Sequence, residues 1–137
     1  MNDKKKDPPV IHIKITVTKE VNPSTGELEF IPKYKPEVIP VTECDTILNF
    51  KLDSKSEQDV YIGSVSYDPK DNDQLSPPSI SQKKNQVTLN DINTSAETIH
   101  LTFEFRNKKK SAVDARLDDC EKVMSSEYPQ IINEPPP

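Results

Sequence analysis

The chain has no tryptophan, only two glycines and two cysteines, and no long apolar run. No segment approaches the ~20 apolar residues that a membrane-spanning helix requires, so we expect no membrane partner. Gly26 and Gly63 are too far apart to form a glycine-rich loop that cradles phosphates. Cys44 and Cys120 lie outside any CxxC motif and away from histidine, which favours unpaired thiols over a metal site or a catalytic thiol. A disulfide between them stays open at this point.

The charge balance is acidic, with a formal net charge of −5. This argues against nucleic acid or an anionic membrane surface as the main partner. Positive charge at residues 1–9 is not followed by the apolar region of a signal peptide. We therefore predict a cytoplasmic protein with a flexible N-terminal tail at residues 1–9, no cofactor and no bound metal.

Alternation of apolar and polar residues dominates what is present. Val10 to Val17 and Thr98 to Arg106 are the two strongest examples, and each has the period of two that is typical of a half-buried β-strand. Shorter strands are predicted at Glu27–Ile31, Thr46–Leu52, Val60–Tyr67 and Gln86–Leu89. Val60–Tyr67 is apolar on both faces, which favours a central place in a sheet.

Turn residues separate these runs. Asn22 to Gly26 is a turn cluster, in which Gly26 can supply the positive φ of a tight return. Pro32, Pro36 and Pro40 predict an irregular or edge segment after the second strand. Ser111 to Met124 has no clean 3.6-residue stripe and is interpreted as a loop or a broken strand with at most one helical turn.

Six or seven short strands with turns between them indicate an all-β fold, a single antiparallel immunoglobulin-like β-sandwich. We place the sandwich domain at residues 10–127 and a separate C-terminal tail, packed on the sandwich, at residues 128–137. The tail carries an apolar pair between prolines after a long polar segment. Such a segment is predicted to dock as a strand rather than to be solvated. Its docking residues are Gln130, Ile131, Ile132, Asn133, Glu134 and Pro135.

The same tail resembles the C-terminal signature of the DP-EP family, small bacterial β-sandwich proteins that cleave themselves at an Asp-Pro bond near the C-terminus. Glu134-Pro135 matches that signature, but Tyr128 precedes Pro129 where an aspartate is expected. The resemblance implies a self-processing endopeptidase, with Tyr128 and Pro129 at the cleavage junction. It also implies a lysine that captures the reactive intermediate as an isopeptide, for which Lys110 in the Lys108–Lys110 run is the candidate.

The missing aspartate bears directly on that activity. An aspartate carboxylate attacks its own main-chain carbonyl to form a five-membered anhydride, and the proline nitrogen leaves. The Tyr128 phenol, with an ordinary pKa of about 10, lies too far from its own carbonyl to do this. The sequence therefore favours an intact docked tail.

Two other hypotheses come from different classes. The tail strand could insert into its own sheet or that of a second copy, which would make the protein a non-catalytic assembly module with itself as partner. Alternatively, His12 and His100, on the polar faces of the two strongest strands, could meet and bind a metal if those strands are neighbours. No third ligand is indicated, and no triad or nucleophile motif supports a conventional hydrolase.

Overall fold

The computed structural model describes residues 8–21, 23–26, 28–53, 55–56, 60–107, 122–123 and 128–137. These residues contain ten strands and no helix, which confirms the all-β prediction. The strands are β1 Val10–Val21, β2 Leu28–Lys35, β3 Val38–Val41, β4 Thr46–Leu52, β5 Val60–Asp68, β6 Ser79–Ile80, β7 Gln86–Asp91, β8 Glu97–Asn107, β9 Lys122–Val123 and β10 Gln130–Asn133. A first sheet has the order β2-β1-β4-β7-β6, and a second sheet has the order β3-β10-β8-β5, with β9 also paired to β8.

Both sheets are mixed, which corrects the expectation of a purely antiparallel sandwich. β1 pairs with β4 in parallel, and β10 pairs with β3 in parallel, while the other strand pairs are antiparallel. β2 and β3 lie between β1 and β4 in the chain, so β1 and β4 are not joined by a tight hairpin turn, which would require antiparallel pairing.

The core lies between the two sheets and follows the alternation in the sequence. Ile13, Ile15 and Val17 of β1 are fully buried, as are the alternate apolar residues of β8 from Ile99 to Phe105. The ring of Phe103 packs against Phe50 of the first sheet, with a centroid distance of 5.2 Å, and against Tyr34 at 5.5 Å. Aromatic pairs of this kind add about 0.5–1.5 kcal/mol beyond the area they bury. A few large rings thus compensate for a small apolar content.

The prolines mark sheet edges, as predicted. Pro32 lies in β2 and Pro40 lies in β3, and both strands are edge strands of their sheets. An edge strand tolerates proline because one row of its amides has no partner in the ladder. The alternative of an irregular segment was wrong, since β2 continues to Lys35.

The prediction that β5 is a central strand was wrong. β5 is an edge strand of the second sheet. Val60 and Ile62 are buried, but the residues after them alternate between half-buried and exposed. The register of β5 against β8 shifts between Ile62 and Ser64, at Gly63. The more buried positions change from one parity to the other at this irregularity. The sequence of β5 therefore looks apolar on both faces, although each half of the strand has a single inward face.

The tight return after β1 has the conformation that its glycine predicts. Gly26 has a φ of 74°, in the region that side chains disfavour. Within the described residues, no helix is long and apolar enough to span a membrane. Most of the segment from Ser111 to Met124 lies outside the described residues, and its residues Lys122–Val123 pair with β8 as β9.

Candidate functional site

The C-terminal strand β10 lies inside the second sheet, between β3 and β8. On one side, the Gln130 amide donates to the Glu37 carbonyl at 2.9 Å, and the Glu134 amide donates to the Val41 carbonyl at 2.8 Å. On the other side, the Leu101 amide donates to the carbonyl of Pro129 at 3.0 Å. β10 is therefore an interior strand, bonded through its backbone to both neighbours.

Side chains of β10 alternate between the core and the outer face. Ile131 is fully buried and Asn133 is 2% exposed, while Gln130 and Ile132 are half-buried on the other face. Strand geometry requires this, since residues two apart point to the same side. An apolar residue and a polar residue of the tail thus enter the core together.

The junction predicted from the sequence lies at the entrance to this strand. Pro129 is buried and Tyr128 is 37% exposed, and the peptide bond between them is cis. The structure places no carboxylate at position 128, so the group that would form the anhydride is missing from the junction itself. Lys110, the predicted isopeptide partner, lies outside the described residues.

The side chain of Asn133 reaches across the core to a residue of the opposite sheet. Its side-chain amide donates to Oδ1 of Asp91 at 3.0 Å and to Oε1 of Gln74 at 3.3 Å. Asp91 ends β7 in the first sheet, so this buried hydrogen bond joins the two sheets. Gln74 is itself fixed, because its Oε1 also accepts from the amides of Thr94 and Ser95.

Asn93 forms a second attachment for the tail. Its backbone amide donates to Oδ1 of Asp91, and its side-chain Nδ2 donates to the carbonyls of Val41, Glu43 and Glu134 at 3.0, 3.2 and 3.3 Å. One amide group thus connects the end of β3 to the residue after β10. Asn93 has a φ of 51°, a left-handed conformation that asparagine tolerates better than most residues.

The electrostatics of this cluster centre on Asp91, whose side chain is inaccessible to solvent. Burial raises the pKa of Asp91, an effect that the hydrogen bonds from Asn133 and Asn93 oppose and the charge of Glu97 reinforces. Three buried oxygens accept no hydrogen bond from the described residues: Asp91 Oδ2, Asn93 Oδ1 and Asn133 Oδ1. All three atoms are acceptors, so the cluster has more acceptors than donors.

We term Gln74, Asp91, Asn93 and Asn133 the anchor cluster. Sequence reasoning identified only Asn133 of these, as a docking residue. The alternation of side chains along β10 provided a usable signal, because it places Asn133 on the same inward face as Ile131. A buried asparagine requires hydrogen-bond partners, and those partners had to come from another element.

The two-histidine metal hypothesis was wrong. His12 lies on β1 of the first sheet and His100 on β8 of the second, so the two rings are not on neighbouring strands. Nδ1 of His12 lies 3.4 Å from Nδ2 of Asn49. No group of three or more histidine, cysteine or acidic side chains could hold a metal ion in the part of the chain that the structure describes.

These observations define a class: a β-sandwich in which an X-Pro junction leads into an interior C-terminal strand. The model of the DP-EP family matches residues 9–135, nearly the whole chain. The protein belongs to the DP-EP family. Comparison with curated proteins gives no match.

Proposed function

We propose that this member of the DP-EP family is a non-catalytic assembly module. Its strand β10 fills the groove between β3 and β8 of its own chain in the monomer and of a second copy in the assembly, while the Tyr128–Pro129 bond stays intact. The observation that supports this most directly is the interior position of β10, with backbone hydrogen bonds on both sides.

Backbone pairing makes such a strand transferable between copies. The bonds from Gln130 to Glu37 and from Leu101 to Pro129 use main-chain groups, whose geometry is the same whichever chain supplies the strand. Ile131 and Asn133 give the exchange its specificity, because both enter the core and Asn133 bonds to Asp91. Exchange of an identical element is a low-cost route from monomer to dimer, since no new contact has to form.

Self-cleavage, which membership of the family suggests, is not part of this proposal. In the Asp-Pro reaction, the carboxylate attacks the main-chain carbonyl, the bond to proline breaks, and the proline nitrogen takes a proton. Water or a lysine then opens the anhydride. Tyr128 offers no carboxylate, so neither hydrolysis nor a lysine isopeptide has an intermediate from which to proceed at this junction.

Disulfide trapping tests the exchange. Ile132 lies opposite Thr98, and both face outwards. The Leu101–Pro129 bond places this pair at a non-hydrogen-bonded position of the ladder, where Cα atoms are about 4.5 Å apart and a disulfide can form. We would make Thr98→Cys and Ile132→Cys singly, each with Cys44→Ser and Cys120→Ser, mix the two proteins and oxidise them.

A disulfide-linked dimer of the two single variants is expected if β10 of one copy enters the other. The matched control is Thr102→Cys on the same face of β8, about 13 Å further along the strand, which should not link to Ile132→Cys. The proposal is wrong if the mixture of the two single-cysteine variants never forms an intermolecular disulfide, while a chain carrying both Thr98→Cys and Ile132→Cys forms the disulfide within one molecule.

A further inference from the structure

We propose that the outer face of the first sheet carries a binding site for a small anion with several phosphate groups, formed by Lys14, Lys35 and Lys51 with His12 beside them. This site lies on the sheet that does not contain β10. It is therefore independent of the assembly function proposed above.

The strand register places the three lysines in one row. Lys14 of β1 lies opposite Lys35 of β2 and also opposite Lys51 of β4. Since Ile13 and Ile15 are buried, Lys14 points away from the core, and all three lysines are exposed. Neighbouring strands are about 4.8 Å apart, so three ammonium groups are concentrated across three adjacent strands.

This arrangement is unfavourable for the fold alone. Like charges directly opposite each other on neighbouring strands destabilise a sheet. None of the three lysines forms an ion pair with another described residue. A chain with a net charge of −5 nevertheless places three cations in a single row without an acidic partner among those residues. A bound anion would remove the repulsion.

The row borders a real depression in the surface. An open cavity of about 790 Å³ is lined by all three lysines together with His12, Asn49 and Asn85. Asp53 is the acidic residue in this lining, and its Oδ2 lies 3.5 Å from the Thr16 hydroxyl. A volume of this size accommodates a small organic or inorganic ligand.

Hydrogen bonds on this face orient a further donor. Asn49 Oδ1 accepts from Nε2 of Gln86 at 2.7 Å and from the Thr88 hydroxyl at 3.4 Å, so Asn49 Nδ2 faces His12. His12 Nδ1 lies 3.4 Å from that Nδ2 and accepts from it in the tautomer that carries the ring proton on Nε2. In that tautomer, His12 adds an N–H donor to the residues that line the cavity.

The geometry of the row indicates the chemical class of ligand. Lysine ammonium groups bind phosphate oxygens as point charges and need no fixed bidentate geometry. Three of them spread over two strand spacings, about 10 Å, match an elongated anion better than a single phosphate. A linear polyphosphate chain, free or as part of a larger small molecule, has that charge distribution.

Isothermal titration of the full chain with sodium tripolyphosphate tests the proposal. We expect saturable binding of one ligand per chain, weaker binding of orthophosphate, and a loss of at least about tenfold in affinity for Lys14→Gln. The matched control is Lys70→Gln, which removes the same charge from an exposed turn after β5. That control should bind tripolyphosphate with nearly unchanged affinity.

Three results would overturn the proposal. These are an absence of saturable binding to the wild type, an equal loss for the variant and its control, and equal or tighter binding of citrate, which would indicate a polycarboxylate ligand instead. Lys51→Gln serves as a second variant if Lys14→Gln does not fold. Thermal unfolding without ligand gives a separate readout: Lys14→Gln should be at least as stable as the wild type, because it removes the repulsion.

Discussion

Replacing Asp91 with asparagine should stabilise this protein at neutral pH, although it changes a fully buried hydrogen-bonded residue. In the native cluster, Oδ1 of Asp91 accepts from Asn133 and from the Asn93 amide, while Oδ2 accepts from no described residue. The carbonyl oxygens of the Asn93 and Asn133 side chains are likewise without a donor. In Asp91→Asn, an uncharged amide that can donate replaces the carboxylate, in a cluster that has two other unpaired acceptors among the described residues.

The expected size of the effect comes from the cost of the unpaired groups. A buried polar atom without a partner costs about 1–3 kcal/mol, and more when it is charged. Supplying one donor, without the cost of ionising a buried carboxyl group, should raise the free energy of unfolding by about 1–3 kcal/mol at pH 7. For a chain of this length, the melting temperature should rise by about 3 °C for each kcal/mol.

The gain should depend on pH in a defined direction. Because burial raises the pKa of Asp91 above its ordinary 3.8, the folded protein keeps the proton over a pH range in which the unfolded chain has lost it. Stability from this group is therefore complete below pH 3.8 and is lost as the pH rises through the higher folded pKa. Asp91→Asn has no carboxyl group to titrate at this position. The difference in the free energy of unfolding between the variant and the wild type should therefore be small in acid and should grow towards neutral pH.

Urea unfolding of both proteins across this pH range measures the effect, with exposed Asp71→Asn as a control that should change stability by less than about 0.5 kcal/mol. A variant that is less stable than the wild type at pH 7 would refute the reasoning. It would mean that the Asp91 carboxylate is charged and that its hydrogen bonds from Asn133 and Asn93 compensate the cost of burying it.

Two further predictions concern the tail and its attachment. Tyr128→Asp should restore the self-cleavage of the family. The denatured mass after days at neutral pH should then show loss of the peptide from Pro129 to the end, whereas the control Tyr128→Asn should stay intact. An uncleaved Tyr128→Asp variant would show that the reaction requires more than an aspartate at position 128. Asn93→Gly should lower the free energy of unfolding in urea by about 2–4 kcal/mol, because the Asn93 amide no longer bonds three carbonyls. Asn93→Ala should cost about 1 kcal/mol more, because its φ is positive, and equal losses for the two variants would contradict this account of the backbone.

The strands were predictable because their signal is local. The alternation in Val10 to Val17 and Thr98 to Arg106 depends on which face of a strand meets the core, and neighbouring residues alone reveal it. The order of the strands was not predictable in the same way. Whether Ile11 lies beside Leu48 depends on the path of the intervening chain, so the two parallel pairs and the edge position of β5 were missed.

The candidate site was predictable only at its tail end. Ile131 and Ile132 stand out between prolines because they are apolar in a polar context. Asp91 and Asn93 are typical turn residues, and their role depends on meeting Asn133 from a distant part of the sequence. The row of Lys14, Lys35 and Lys51 was also hidden, because each lysine alone looks like an ordinary exposed residue until the register aligns them.

The pairing of positions 38–41 with positions 130–133 has a consequence for folding kinetics. Contacts between residues so far apart in the chain carry a large loop-closure entropy, and such contacts slow folding. Closure of the second sheet should therefore follow the folding transition state rather than precede it. Substitutions in β10 would then accelerate unfolding while leaving the folding rate almost unchanged, so the lifetime of the native state would depend on the strand that enters last.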